Sequence, residues 1–227
     1  MDLKVNDVAE LLNISEDAIY ELLSEGKIPA YKIGGEYRFD PLDIESWISQ
    51  RKDPVTLERI RETLGKKLGS LTFSLFRAIY RGSVFEDIKG KDKKEIINEA
   101  VRRFSKDLDM DADVLTVLLT DREQLMSTAI GEGVAIPHTR DFLIDKPYDM
   151  VSLVYPQIPI EYGALDGKKV HSLFFLFARD NKNHLHLLAK IAHFCRAKES
   201  IEFLMQKPNK KELLNFVKQW ETKINLS

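Results

Sequence analysis

Residues 121–140 read Asp121-Arg-Glu-Gln-Leu-Met-Ser-Thr-Ala-Ile-Gly-Glu-Gly-Val-Ala-Ile-Pro-His-Thr-Arg140. The turn-forming Gly131-Glu132-Gly133 leads into the apolar run Val134 to Ile136, then Pro137 and His138. Arg122 lies sixteen residues upstream of His138, near enough to fold back towards the imidazole. An unperturbed imidazole titrates at about 6.5, so a neutral, nucleophilic nitrogen exists near neutral pH. A histidine presented in this way is equipped to accept a phosphoryl group.

From about residue 69 onwards, helical and strand-like segments alternate. Leu75 to Tyr80 reads as a helix, Gly82 to Phe85 as a short extended piece, and Lys93 to Phe104 as an amphipathic helix. Val114 to Thr120 leads into the histidine segment, and Asp149 to Tyr155 and Val170 to Ala178 read as strands. Leu185 to Cys195 carries Leu185, Leu188, Ala189 and Ala192 on one helical face, and a last helix spans about Lys211 to Thr222. The mixture predicts an α/β domain with a mixed sheet flanked by helices.

Composition agrees with an ordinary globular protein: 44% of the 227 residues are apolar and 31% charged. No apolar run approaches the length of a membrane span, and the N-terminus lacks a signal-peptide pattern. A single cysteine, Cys195, excludes an internal disulfide and suits a reducing cytoplasm. Charge is unevenly spread. Residues 1–52 hold six Lys/Arg against eleven Asp/Glu, whereas residues 53–106 hold thirteen against eight.

In residues 1–52, Val5, Val8, Ala9 and Leu12 form one apolar helical stripe, and Ser15 is placed to cap a second helix buried through Ala18, Ile19, Leu22 and Leu23. Gly26 stops that helix, Gly34-Gly35 joins two short strands as a hairpin, and Asp40-Pro41 starts a helix carrying Leu42, Ile44, Trp47 and Ile48. This order resembles the winged MerR and excisionase-type helix-turn-helix domains, a small, mainly helical fold that implies DNA binding. The resemblance rests on Val8-Ala9-Glu10-Leu11-Leu12, Ile19-Tyr20, Gly26 to Ala30, Gly34 and Trp47. The second helix carries Glu16, Asp17, Glu21 and Glu25 and no basic residue, which opposes entry into a DNA groove. Lys27, Lys32 and Arg38, with Arg51 and Lys52, are the candidates for contacts to the DNA backbone, and docking of a protein is the competing role.

Residues 53–68 read as a helical linker. Leu57, Ile60, Leu64, Leu68, Leu71 and Leu75 recur at three- and four-residue steps, as in a short dimer seam, although Gly65 and Gly69 weaken a continuous helix. A connector helix resting on its own domains and a homodimer both remain open readings.

The segment quoted first, with Ser127-Thr128, Gly131, Gly133, Pro137-His138, Asp166-Gly167-Lys-Lys-Val170 and His184 to Ala189, closely resembles the type-2 enzyme IIA domain of the phosphoenolpyruvate-dependent phosphotransferase system. The match is to the fructose, mannitol and nitrogen-regulatory class, over residues 69–227. The resemblance implies that His138 is phosphorylated by an HPr-like phosphocarrier, with Arg122 as the catalytic arginine and His184 as the second active-site histidine. It implies a docking loop at Thr128, Gly131, Gly133 and Pro137, in which the glycines leave room for a partner. No cofactor and no metal are expected. Positions two apart on a helix diverge, so only one of His184 and His186 can face His138; His186 is expected to pack or be solvated. His171 and His193 carry no partner pattern.

The expected whole is a cytoplasmic two-domain phosphoprotein of nitrogen-type regulation, coupled to DNA binding or transcription. It acts as a phosphotransfer component rather than a multiple-turnover metabolic enzyme. The alternative is an intermediate that passes phosphate to a separate IIB, with the N-terminal module docking partners.

Overall fold

The computed structural model describes residues 2–12, 14–40, 43–44, 47, 74–139 and 148–226. The chain divides into two compact units, Met1–Phe73 with Gln219–Ser227, and Ser74–Lys218.

In the first unit, α1 (Val5–Leu12) and α2 (Glu16–Ser24) bury Val8, Leu12, Ile19 and Leu22. The Ser15 hydroxyl accepts from the Ala18 amide, satisfying one of the amides that a helix start leaves unpaired. Gly26, at φ +62°, ends α2 in the left-handed conformation. Strands β1 (Tyr31–Ile33) and β2 (Glu36–Arg38) pair antiparallel across Gly34-Gly35, both at positive φ as a two-residue hairpin requires. Ile44 is fully buried and the Trp47 indole donates to the Lys27 carbonyl, so these residues close over the helix pair. The expected helix start at Pro41, Arg51 and Lys52, and the seam from Leu57 to Leu71 lie outside the described residues.

The second unit is the expected mixed α/β fold. Its elements are α3 (Ser74–Arg81), β3 (Val84–Ile88), α4 (Lys93–Leu108), α5 (Ala112–Leu125), β4 (Ala129–Gly131), β5 (Val134–Ala135), β6 (Met150–Pro156), β7 (Ser172–Phe177), α6 (Asn181–Phe194), α7 (Lys198–Met205) and α8 (Lys210–Leu226), of which Lys210–Lys218 belong here. The sheet order is β3-β6-β7-β5-β4; β3 with β6 and β5 with β7 are parallel, the other pairs antiparallel.

Every residue of β6 and β7 is buried, because helices cover both sheet faces. Leu173, Phe175 and Phe177 point to one face, where Phe104 of α4 meets Phe175 at 5.0 Å and Phe177 at 5.4 Å between ring centroids. Phe174 points to the other face and meets Phe194 of α6 edge-on at 6.4 Å. Burying each such ring contributes roughly 1.5–3 kcal/mol, so this two-sided apolar strand is the main anchor of the unit. Leu75, the last residue of the proposed dimer seam, is fully buried in α3, so it packs inside this unit instead. No helix among the described residues is long and apolar enough to cross a membrane.

Candidate functional site

Two elements bring Arg122 and His138 together. On α5 the buried positions are Leu115, Leu119, Arg122 and Glu123, one face of a helix whose last turn replaces leucine by charged groups. After β5 the chain continues beside β7: the Leu176 amide donates to the Pro137 carbonyl, and His138 bridges Leu176 in parallel register. The nucleophile candidate is thereby fixed to the most deeply buried strand of the unit.

The imidazole is held at both nitrogens. Nδ1 lies 2.7 Å from the Ile136 carbonyl oxygen, which can only accept, so Nδ1 carries the proton. Nε2 receives the Arg122 Nε–H at 3.1 Å, and a guanidinium can only donate, so Nε2 presents its lone pair. This tautomer leaves Nε2 as the nucleophilic nitrogen. Arg122 also donates from Nη1 to the Met126 carbonyl at 3.0 Å. His138 is 1% exposed and Arg122 5% exposed, so bulk water has little access to the acceptor nitrogen.

His184 completes the group. It sits in the first turn of α6, capped by Asp180, and its ring lies 5.0 Å from that of His138, at 65°. The helix N-terminus adds partial positive charge on this side, which favours an anion. His186 is turned elsewhere: its Nε2 is 2.9 Å from the Ser74 hydroxyl, which accepts from Lys190 Nζ at 2.9 Å. The hydroxyl can thus donate to His186, which is packed, one of the roles expected for it.

Burial, with Lys190, Arg77 and Lys182 nearby, pushes the His186 pKa down to about 3. An unfolded histidine titrates at about 6.5, so between these values the unfolded chain holds a proton that the folded chain does not. The resulting stability is fully present above the unfolded value and is lost as pH falls towards the folded one. Urea midpoints should show a loss of about 2 kcal/mol between neutral pH and about pH 5, and His186→Gln should flatten that slope. An unaltered slope in the variant would assign the pH dependence to other groups.

The glycine loop makes the tight turn its sequence implies, and the groups packed against it come from the chain itself. Gly131 and Gly133 adopt φ +91° and +75°, conformations that L side chains rarely take. The space beside Gly133 is filled by His171, whose ring would stand 2.4 Å from an added Cβ; the Asp166 carboxylate stands 3.2 Å from one at Gly131. The glycines thus admit the protein's own side chains, rather than only leaving room for a partner. Asp166 accepts from the Glu132 and Lys168 amides, and Lys168 pairs with the Glu132 carboxylate. Thr128 is bonded to Glu123 through both its amide and its hydroxyl. Glu123 is the site residue that sequence reading overlooked; its signal is a carboxylate four positions after Leu119, on the buried face of α5.

In the first unit, the three described candidate DNA-contacting cations each have an internal partner. Lys27 pairs with Glu25 at 3.0 Å, Arg38 with Glu36 at 2.7 Å, and Lys32 lies 4.6 Å above the Tyr37 ring. Arg38's hydrogen bond and charge hold the Glu36 carboxyl below its usual range.

A five-stranded mixed sheet flanked by helices thus carries an arginine-held histidine beside its buried centre. Residues 79–220 match the family described as phosphoenolpyruvate-dependent sugar phosphotransferase system, EIIA 2, and the chain belongs to that family. Residues 3–52 match a helix-turn-helix domain family. The nitrogen regulatory protein of Pseudomonas aeruginosa is 32% identical over 114 residues, spanning 49% of this chain and 73% of that protein. The fructose-specific EIIABC component of Bacillus subtilis is 26% identical over 136 residues, 59% of this chain but 21% of that longer protein. The crystal structure of nitrogen regulatory protein IIA-Ntr from Neisseria meningitidis superposes with a TM-score of 0.56 at 26% identity, covering 62% of this chain and 97% of that one.

Proposed function

We propose that this chain is a cytoplasmic regulator in which the IIA domain receives a phosphoryl group on His138 from an HPr-like phosphocarrier, and the helix-turn-helix unit delivers the output. The observation that carries this reading is the double hold on the imidazole, Nδ1–H on the Ile136 carbonyl and Nε2 against Arg122. In the transfer, the Nε2 lone pair forms the new N–P bond while the carrier's own N–P bond breaks, and the carrier's imidazole leaves with the electron pair. Arg122 shifts from Nε2 onto the equatorial oxygens of the phosphoryl group, a planar fork matched to their geometry. His184 flanks the group from the positive end of α6. Incubation with the phosphorylated carrier, followed by mass spectrometry, should place one phosphate on His138. A labelled chain without phosphate on His138 would refute the assignment.

The helix-turn-helix family supports an output through DNA, in which a phosphate adding roughly −1.5 to −2 charges alters the module's contacts. With Lys27, Lys32 and Arg38 as the backbone contacts, binding to random duplex should fall with salt at a log–log slope of roughly −3. No binding even at low salt would remove the DNA reading. The exposed acids Glu16, Asp17 and Glu25 on and beside α2, and the internal partners of those three cations, favour a second reading in which the module docks a protein and phosphate passes onward to a separate IIB. Transfer of label to an added IIB would support that intermediate; a stable phosphoprotein supports the regulator.

A further inference from the structure

We propose that Glu123 is the positioning residue of the site, a buried carboxylate that sets the orientation and tautomer of His138 without touching the phosphate. The inference rests on the phosphotransfer reading of His138 for its kinetic consequence, and on geometry alone for the rest.

Glu123 and Thr128 are each 3% exposed. The Glu123 carboxylate accepts from the Thr128 amide at 3.2 Å to both oxygens, from the Thr128 hydroxyl at 2.6 Å, and from Lys93 Nζ at 3.3 Å. Every one of these groups acts as a donor towards it, so the site is built for the ionised acid. Lys93 supplies the compensating charge from the half-exposed side.

Two routes run from this clamp to the imidazole. Through the backbone, the Thr128 carbonyl accepts from the Ile136 amide at 3.0 Å, and the Ile136 carbonyl accepts from His138 Nδ1 at 2.7 Å. Through the side chain, the clamped loop carries the Met126 carbonyl that anchors Arg122 Nη1, and Arg122 Nε meets His138 Nε2. Arg122 is also Glu123's neighbour in the chain. The path Glu123, Thr128, Ile136, His138, Arg122 and back to Glu123 is therefore a closed ring, and both nitrogens of the nucleophile hang from it. Releasing one corner loosens both hydrogen bonds that define the tautomer.

The role differs from simple support of the fold. The apolar cluster of the unit is drawn largely from β6, β7, α4 and the inward leucines of α5, and Glu123 is not part of it. A misplaced reacting group costs transfer rate steeply, on the order of a hundredfold per ångström, while partner docking is untouched.

The test uses the full chain with 15N-labelled histidine and the variants Glu123→Gln, Thr128→Val and Thr128→Ser. In the unaltered chain, His138 should show a protonated Nδ1 and an unprotonated Nε2. Glu123→Gln and Thr128→Val should move that signature towards the Nε2–H form that free imidazole prefers, and Thr128→Ser, which keeps the hydroxyl donor, should restore it. With phosphorylated carrier, the first two should lower the maximal transfer rate about tenfold or more, with KM unchanged in Glu123→Gln. Wild-type nitrogen signature and wild-type rate in both Glu123→Gln and Thr128→Val would overturn the proposal. An unaltered chain that takes no label refutes the phosphotransfer reading instead, and the nitrogen signature then decides the clamp by itself.

Discussion

Replacing His138 by glutamine should abolish phosphoryl acceptance while leaving the fold in place. The glutamine amide can still donate to the Ile136 carbonyl and its oxygen can still accept from Arg122, so the two hydrogen bonds of the imidazole are approximately reproduced. What disappears is the nucleophilic nitrogen, and loss of a covalent nucleophile lowers turnover on the order of 10⁶-fold. Neither His186 nor His171 is placed to stand in. His186 takes the Ser74 hydroxyl on its Nε2, and His171 bonds Ser172 through Nδ1 while packing on Gly133. Labelling by the phosphorylated carrier, followed by peptide mapping, should find no phosphate in the variant, whose thermal transition should stay near that of the parent. Label at full yield on another histidine would refute the assignment.

Arg122 should carry the next largest effect. Its guanidinium is anchored by Nη1 on the Met126 carbonyl and faces His138 Nε2 through Nε, so one planar group is both fixed to the backbone and aimed at the acceptor atom. Arg122→Ala should reduce single-turnover transfer about 10³-fold, because the charge that spreads over the phosphoryl oxygens loses its preorganised donor. Arg122→Lys should recover only part of this, to about 10²-fold below the parent. An ammonium restores charge, but it cannot hold the carbonyl and the oxygens in one rigid plane. Rapid-quench measurements of transfer from the carrier would separate the three proteins. Equal rates for Arg122→Lys and the parent would mean that charge alone suffices.

Much of this architecture is written locally. Ser15 reads as a cap because its hydroxyl can reach an amide three residues on, and the Gly34-Gly35 hairpin follows from two adjacent residues tolerant of positive φ. Helical geometry allowed only one of His184 and His186 to face His138, and the resemblance to the enzyme IIA family pointed to His184. The gaps have equally physical causes. Helix α5 leaves Val114, Val117 and Leu125 exposed while burying Leu115 and Leu119, so its apolar residues trace no single stripe and its course was not predicted. Helix α7 begins at Ala197 without a side-chain cap, and so lacks a start signal. Strand β3 runs on to Ile88 through Glu86 and Asp87, charges that conceal a parallel edge strand, with Asp87 at φ +56° where its register breaks. The reason for Gly133 lies in His171, thirty-eight residues away, which no local pattern announces. Glu123 was hidden for a similar cause: its partners Lys93 and Thr128 come from different elements, and only the folded chain assembles them.

The hydrogen bond from His138 to the Ile136 carbonyl also dictates which chemical isomer of phosphohistidine would form. With the main chain occupying the nitrogen nearer the backbone, a phosphoryl group accepted by His138 is expected on the far one, as the 3-isomer. On the proposed phosphotransfer reading, the regiochemistry would be defined before any donor arrives. An isomer-selective antibody should recognise the modified chain, and one raised against the 1-isomer should pass it by.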